Sequence, residues 1–335
     1  MKNFLITGGA GFIGSHFAVK ICNDQHRAIV LDKLTYAGSL TNLSSVQNHK
    51  NFKFIRGDIA DKELMKKILH GEEIDYVVNF AAESHVDNSI KNPDDFILTN
   101  VVGTCNLLGS SLNYWQNLEE RKKSDFRFLH ISTDEVYGSL AFDDPKFTEK
   151  NSYKPNSPYS ASKAASDHLV RAWHETYSLP TIVTNCSNNF GPHQHLEKLI
   201  PTIIYSAINK KQIPIYGDGK NVRDWIFVKD HVDGVLLALL QGMVGQTYCF
   251  GGNTEKKNID LTIEICELLD ELQPRSDGIS YKNQITFVVD RPGHDRRYAI
   301  DHSKAENELG FRPNKTFREN LEVTVKWFLT QILSS

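Results

Sequence analysis

The first half of the chain alternates short runs of β-branched and aliphatic residues with amphipathic stretches. Residues 3–6, 27–31, 52–56, 76–80, 127–131 and 181–185 read as strands. Between them lie helical patterns that begin near Phe12, Lys62, Asp94 and Tyr159. Such alternation predicts an α/β chain whose doubly wound parallel sheet is covered by helices on both faces. The second half is less regular: segments 187–225 and 252–298 are rich in Gly, Pro, Asn and charge. Helices are expected there near 196–209 and 260–271, and loops at 143–158 and 274–284. The apolar run 228–240 and a strand at 247–250 return the chain to the sheet. The expected organisation is a nucleotide domain of residues 1–186 and 226–251, interleaved with a smaller, discontinuous C-terminal substrate lobe of residues 187–225 and 252–335.

A parallel sheet binds ligands beyond the C-terminal ends of its strands. The glycine turn near the N-terminus, Asp32, Asp58, Ala81-Ala82-Glu83-Ser84 and Ser132-Thr133 all follow predicted strands, so they share one rim. Thr7-Gly8-Gly9-Ala10-Gly11-Phe12-Ile13-Gly14 follows a strand and opens a helix. Its glycines permit a tight turn and close approach of backbone to a pyrophosphate, and the helix start supplies N–H donors. With Asp32 at the end of the second strand, this is a Rossmann dinucleotide pattern. Asp32 can accept from ribose hydroxyls and would repel a 2′-phosphate, which favours NAD over NADP. Asp58-Ile59 can flank the adenine, although a loop aspartate has the same spacing.

Ser132-Thr133-Asp134-Glu135-Val136-Tyr137-Gly138 puts two adjacent carboxylates just past an apolar run, 126–131. Tyr159 and Lys163, four apart, share a helix face. A free tyrosine titrates near about 10, and a neighbouring ammonium brings it toward roughly 7–9. Tyr159 then becomes a base for a sugar or alcohol hydroxyl as its hydride leaves for NAD. Neighbouring carboxylates with differing pKa values supply both an acid and a base, a second chemical task in the same pocket.

Composition narrows the classes. The 335 residues carry 38 basic and 41 acidic side chains, a formal charge of -3, with no basic field for nucleic acid. Arg121-Lys122-Lys123 reads as a solvated surface. The apolar stretches fall short of the roughly 18 residues that suggest a membrane span, and Met1 runs straight into a strand without a cleavable apolar segment. Cys22, Cys105, Cys186, Cys249 and Cys266 are widely spaced, form no zinc pattern and read as reduced thiols of a cytoplasmic protein. His193, His195 and Glu197 match no metal motif, and no metal is expected.

Taken together, these motifs resemble the extended short-chain dehydrogenase/reductase family and, within it, the nucleotide-sugar 4,6-dehydratases. The resemblance covers nearly the whole chain. Besides the stretches above it rests on Leu31-Asp32-Lys33-Leu34-Thr35-Tyr36-Ala37-Gly38, Pro158-Tyr159-Ser160-Ala161-Ser162-Lys163 and Thr184-Asn185-Cys186-Ser187-Asn188-Asn189. It rests also on Glu197-Lys198-Leu199-Ile200-Pro201, Val222-Arg223-Asp224-Trp225 and Asp290-Arg291-Pro292-Gly293-His294. The late stretches weigh most, because the early ones are shared with epimerases and reductases.

The resemblance implies oxidation of a nucleotide-activated glucose at C4, loss of water across C5 and C6, and hydride return to C6. The implied substrate is dTDP-glucose, ahead of UDP-glucose. Tyr159 would take the 4-OH proton, Glu135 the C5 proton, Asp134 would protonate the departing 6-OH, and Thr133 would hold the 4-oxygen. Implied NAD contacts are Gly8, Gly11, Phe12, Ile13, Gly14, Asp32, Lys33, Leu34, Thr35, Asp58, Ile59, Phe80, Ala81, Ala82, Ser84, Thr99, Tyr159, Lys163 and Asn189. Implied nucleotide-sugar contacts are Ser84, Thr133, Asn188, Lys198, Leu199, Pro214, Ile215, Tyr216, Arg223, Asn258, Asp290, Arg291 and His294, with the cations suited to a diphosphate. Asn88, Phe190 and His195-Leu196 depart from the family's usual pattern. A nucleotide-sugar 4-epimerase would need Tyr159, Lys163 and NAD but has no use for an acid–base pair; a non-catalytic NAD-sensing scaffold would need NAD but neither the Tyr159–Lys163 pair nor the acids. A homodimer is also implied, through Ile97, Val101, Leu108, Leu112, Ala165, Leu169 and Ala172 on two helices.

Overall fold

The computed structural model describes residues 1–314 and 316–333. Its strands in chain order are β1 (Asn3–Thr7), β2 (Arg27–Asp32), β3 (Phe52–Arg56), β4 (Tyr76–Asn79), β5 (Arg127–Thr133) and β6 (Thr181–Cys186). Then come β7 (Asn188–Phe190), β8 (Ile213–Tyr216), β9 (Val222–Phe227), β10 (Thr247–Phe250), β11 (Glu255–Lys257), β12 (Ile285–Val288) and β13 (Arg297–Tyr298). Seven of them form the central sheet, all parallel, in the order β10-β6-β5-β4-β1-β2-β3. Successive side chains of a strand point to opposite faces, and here both faces are covered. Phe4, Ile6, Val30, Val78 and Leu129 enter one core with Phe17 and Ile21 of helix Phe12–Asn23 and Val235 of helix Val228–Gln241. Leu5, Ile29, Val77 and Phe128 enter the other, against Met65, Leu107, Leu108 and Val170 of three more helices. The apolar run near 228 thus returns to the sheet as a helix, and β10 then pairs with β6.

A third core gathers Phe190, Ile203, Trp225, Ile265, Val325 and Phe328 beneath a second sheet. That sheet runs β11-β9-β13, with β7 also paired to β9, and β12 pairs with β8 beside it. The two helices expected here are Leu199–Ile208 and Asn258–Leu272. Ala305, Leu309 and Phe311 were expected in the smaller lobe but pack into the first core under the large sheet, because helix Ser303–Leu309 lies on β10 and helix Val228–Gln241.

Two local features position the site. Helix Pro158–Tyr177 starts abruptly: Ser157 and Ser160 bond reciprocally as a capping box, and Pro158 sits where its missing N–H costs nothing. The pattern near Asp94 becomes a turn, Pro93–Phe96, then a π-helical stretch, Ile97–Gly103, and then helix Thr104–Gln116. Of the apolar residues expected to face a second copy, Leu108 is instead fully buried and Ile97 is exposed; Leu98 and Val102, outside that set, are exposed as well.

Candidate active site

Strand order reverses on either side of β1, and the crevice beyond its C-terminal end is where the glycine turn lies. Gly8 has φ +66°, and a Cβ there would stand 2.6 Å from the backbone N of Ala81. A Cβ on Gly14 would stand 2.4 Å from the Gly8 carbonyl oxygen. Asp32 accepts from Ala10 N at 2.9 Å on one oxygen and from Leu34 N at 2.8 Å on the other. Asp32 lines the cleft. Gly11, Phe12, Ile13, Lys33, Thr35, Asp58, Ile59, Phe80, Ala81, Ala82, Ser84, Thr99 and Asn189 line the same cleft. Leu34, held by its backbone bond to Asp32, does not. A dinucleotide fits: the glycines leave a cradle that side chains would fill, and Asp32 offers it a carboxylate.

The cleft continues to Thr133, Asp134, Glu135, Tyr159 and Lys163. Thr133 ends β5 and caps the short turn Asp134–Tyr137, accepting from Glu135 N at 3.3 Å. Its hydroxyl donates to Asp134 Oδ1 at 3.3 Å, and Oδ2 has no partner among the described residues. Asp134 is 1% exposed. Burial holds its carboxyl well above the usual range, and the charges of Glu135 and Asp224 push the same way. Burial also raises Glu135, while Arg291, Lys198 and Arg223 pull it down.

Tyr159 differs from expectation. Its phenol is pushed well above 10 by burial and then by the Glu135 charge, with a Thr133 hydrogen bond opposing. The expected lowering by Lys163 is absent in the chain alone, because the ammonium turns toward the sheet. Lys163 Nζ donates to the Ile131 carbonyl at 2.7 Å and lies 3.2 Å from His130 Nε2. Burial lowers Lys163 to about 8, with Asp167 resisting.

Beneath this site lies a polar layer that the sequence reading did not single out. Asp167, one turn beyond Lys163, accepts on Oδ2 from Ser132 Oγ at 2.7 Å, Tyr153 OH at 3.0 Å and Asn185 Nδ2 at 3.4 Å. Its Oδ1 is 3.6 Å from His130 Nε2. Asn79 joins His130 Nδ1 at 3.1 Å to the hydroxyl of Thr7, which donates to it at 2.7 Å. Two signals pointed here: an i+4 continuation of the Tyr159–Lys163 stripe, and a lone histidine inside an apolar strand run. Asn100, from the π-helical stretch, accepts from Glu83 N at 2.9 Å and donates to Ser162 Oγ at 2.8 Å. It ties the loop after β4 to the Tyr159 helix.

Ser84, Asn188 and Lys198 also line the cleft, and Lys198 Nζ donates to the Ser84 carbonyl at 2.9 Å. Leu199, Pro214, Ile215, Tyr216, Arg223, Asn258, Asp290, Arg291 and His294 lie off its wall. Arg223 and Arg291 are nevertheless close enough for their charges to act on Glu135. Arg223 is buried, donates to the Asp295 carbonyl at 3.0 Å and lies 4.4 Å over the Tyr298 ring, whose hydroxyl bonds the Asp295 carboxylate. Arg291 pairs with Asp87 at 3.4 Å. His294 Nδ1 is 2.6 Å from Asp290 and is lowered to about 4 by burial and the two arginines. Asn258 keeps a buried side-chain oxygen with no partner among the described residues. Ile215 is buried within its lobe, while Tyr216 beside it is exposed.

The chain matches the GDP-mannose 4,6 dehydratase family over residues 5–324. A dTDP-glucose 4,6-dehydratase of Xanthomonas campestris pv. campestris is 53% identical over 330 residues, 98% of this chain and 94% of that one. A dTDP-glucose 4,6-dehydratase of Haemophilus influenzae is 52% identical over 338 residues, 100% of each chain. The crystal structure of a dTDP-glucose 4,6-dehydratase from Streptomyces venezuelae, solved with NAD bound, has a TM-score of 0.88 at 43% identity and covers 98% of this chain and 97% of that one. A family match over most of the length, full-length identity above half and a shared fold agree with the geometry of the cleft: this chain belongs to the GDP-mannose 4,6 dehydratase family.

Proposed function

We propose that the chain is an NAD-dependent dTDP-glucose 4,6-dehydratase, converting dTDP-glucose to dTDP-4-keto-6-deoxyglucose and water. The observation that carries this reading is the Asp134–Glu135 pair on the same wall as Tyr159 and Lys163. Redox at one carbon needs only the latter two; elimination needs an acid and a base besides. NAD, when bound, would supply the hydride acceptor and donor that the chemistry at C4 and C6 requires. The chain would hold it through the backbone at Gly8, Gly11 and Gly14, through Asp32 at a ribose and through Asp58 and Ile59 at the adenine.

The remaining steps are proton transfers by side chains. Tyr159 takes the 4-OH proton while Thr133 bonds the 4-oxygen. The ketone at C4 acidifies C5–H, and Glu135 removes that proton. Asp134, kept neutral by burial, protonates the 6-OH, and water departs. Glu135, once its proton has exchanged with solvent, returns a proton to C5. Lys198, Arg223 and Arg291 serve the diphosphate; Pro214, Ile215 and Tyr216 serve the base.

The chain works in the cytoplasm on this reading, where its five unpaired cysteines stay reduced. It pairs with a second copy through the exposed face at Ile97, Leu98 and Val102. Incubation with dTDP-glucose and with UDP-glucose, followed by the alkali-induced absorbance of a 4-keto-6-deoxy sugar, tests the reading. The chromophore should form with dTDP-glucose in preference. Epimerised sugar without it would point to a 4-epimerase, and no turnover to a binding protein.

A further inference from the structure

On the face of the large sheet where Leu5, Val77 and Phe128 enter the core, the next position of each strand on that face is polar. Thr7, Asn79 and His130 stand there side by side in register, and all three are buried. The row ends on Lys163, at the wall of the cleft. The proposed proton transfers, on which this inference rests, make no use of it.

The row has a sense. Thr7 Oγ1 donates to Asn79 Oδ1 at 2.7 Å, an ordinary O–H···O length, so the Asn79 amide turns its nitrogen to His130 Nδ1 at 3.1 Å. Nδ1 therefore accepts, and a neutral imidazole then carries its hydrogen on Nε2. Ser166 gives the same answer from the helix side. Its one hydroxyl hydrogen goes to the Lys163 carbonyl at 2.8 Å, so its oxygen, 3.2 Å from Nε2, can only accept there. Burial and the Lys163 charge hold His130 well below the usual histidine range, which keeps it neutral. A nitrogen that carries a hydrogen has no lone pair to offer an ammonium, yet Lys163 Nζ lies 3.2 Å from Nε2. Among the described residues the Ile131 carbonyl, at 2.7 Å, is then the one inward acceptor for Lys163. We propose that His130 is a positioning residue: by turning an N–H on Lys163 it leaves two of the lysine's three N–H groups for the cleft, where NAD and Tyr159 need them. The same contact makes the ammonium easier to deprotonate. The other titratable groups that face it, Asp167 on the same helix and Cys186 at the end of β6, both favour the charge.

His130→Gln tests this, because it puts a side-chain amide where Nε2 stands, free to turn its oxygen to Lys163. The ammonium then gains a second inward acceptor, and the cleft loses one N–H. The alkaline limb of kcat/KM with dTDP-glucose should rise by about one pH unit. NAD affinity, read by quenching of tryptophan fluorescence, should fall about tenfold. A merely structural loss would lower activity without moving the limb upward. Nitrogen NMR of the wild type with isotope-labelled histidine should show His130 with its hydrogen on Nε2 and a lone pair on Nδ1. Its signal is the one lost in H130Q, or the one shifted in Ser166→Ala if H130Q does not fold. A lone pair on Nε2 in the wild type would overturn the proposal. So would a limb that stays or falls in folded H130Q, or an unchanged NAD affinity. If the wild type makes no 4-keto sugar, the assigned function falls, while the nitrogen spectrum and the NAD affinity still decide the role of His130.

Discussion

Replacing Asp167 by Asn should make this protein more stable at neutral pH and less active at alkaline pH. Three donors converge on Asp167 Oδ2, at 2.7, 3.0 and 3.4 Å. An Asn carbonyl can keep all three, so the change removes charge more than contact. The carboxyl is 3% exposed, and burial pushes it up to about 6 against the pull of Lys163 and its hydrogen-bond donors. An unfolded aspartate titrates near about 3.9. The native state therefore holds this proton more tightly, and Asp167 costs stability progressively as pH rises from about 4 to about 6. Above that window the difference amounts to about 3 kcal/mol. A permanently neutral Asn recovers it, giving a gain of about 3 kcal/mol at pH 7.5 that shrinks to about half at pH 5. Urea unfolding at the two pH values measures this. A gain of the same size at both, or a loss at pH 7.5, would refute the argument. The Asp167 charge also holds Lys163 up toward its value of about 8. Without it the ammonium is lost sooner, so the alkaline limb of kcat/KM moves to lower pH.

Other perturbations address separate parts of the site. Glu135→Gln should cut turnover by about 10²–10⁴ and abolish deuterium uptake from solvent at C5; undiminished label there would remove Glu135 as the C5 base. Gly14→Ala places a methyl 2.4 Å from the Gly8 carbonyl. NAD affinity, followed by quenching of tryptophan fluorescence, should drop at least about tenfold, that is by about 1.4 kcal/mol; unchanged affinity would mean the cradle is not where NAD lies. Leu98, 58% exposed, lies on the face assigned to a second copy. Leu98→Asp should halve the mass in light scattering, and an undisturbed dimer would move the interface elsewhere.

The large sheet was legible because each of its strands is an apolar run with a polar turn at its end, and that turn is also where ligands bind. The cleft residues at Gly8, Asp32 and Thr133 followed from that one rule, and Tyr159 from its spacing with Lys163 on a helix. Short strands such as β7, β11 and β13 escaped it: two or three residues carry no period, and they exist because β9 offers them a ladder. Spacing put Lys163 on the face of Tyr159, but the direction of its ammonium depends on the Ile131 carbonyl and His130, groups far away in the chain. Arg223, Arg291 and His294 were reached through family resemblance alone. Nothing local distinguishes Arg223 and Arg291 from surface ion pairs until Glu135 stands nearby.

The position of β10 has a consequence for how the chain must be made. It forms one edge of the sheet beside β6, yet it begins only at Thr247, after β7, β8 and β9 of the other lobe have been synthesised. Until then β6 presents an open parallel edge, the kind of surface that recruits other chains. Pairing of segments so distant is slow to form. A nascent chain halted before Thr247, or a truncation meant to isolate the nucleotide domain, would expose that edge and aggregate rather than fold as a smaller unit. The two lobes are therefore bound together in synthesis, because the first sheet closes only after much of the second has left the ribosome.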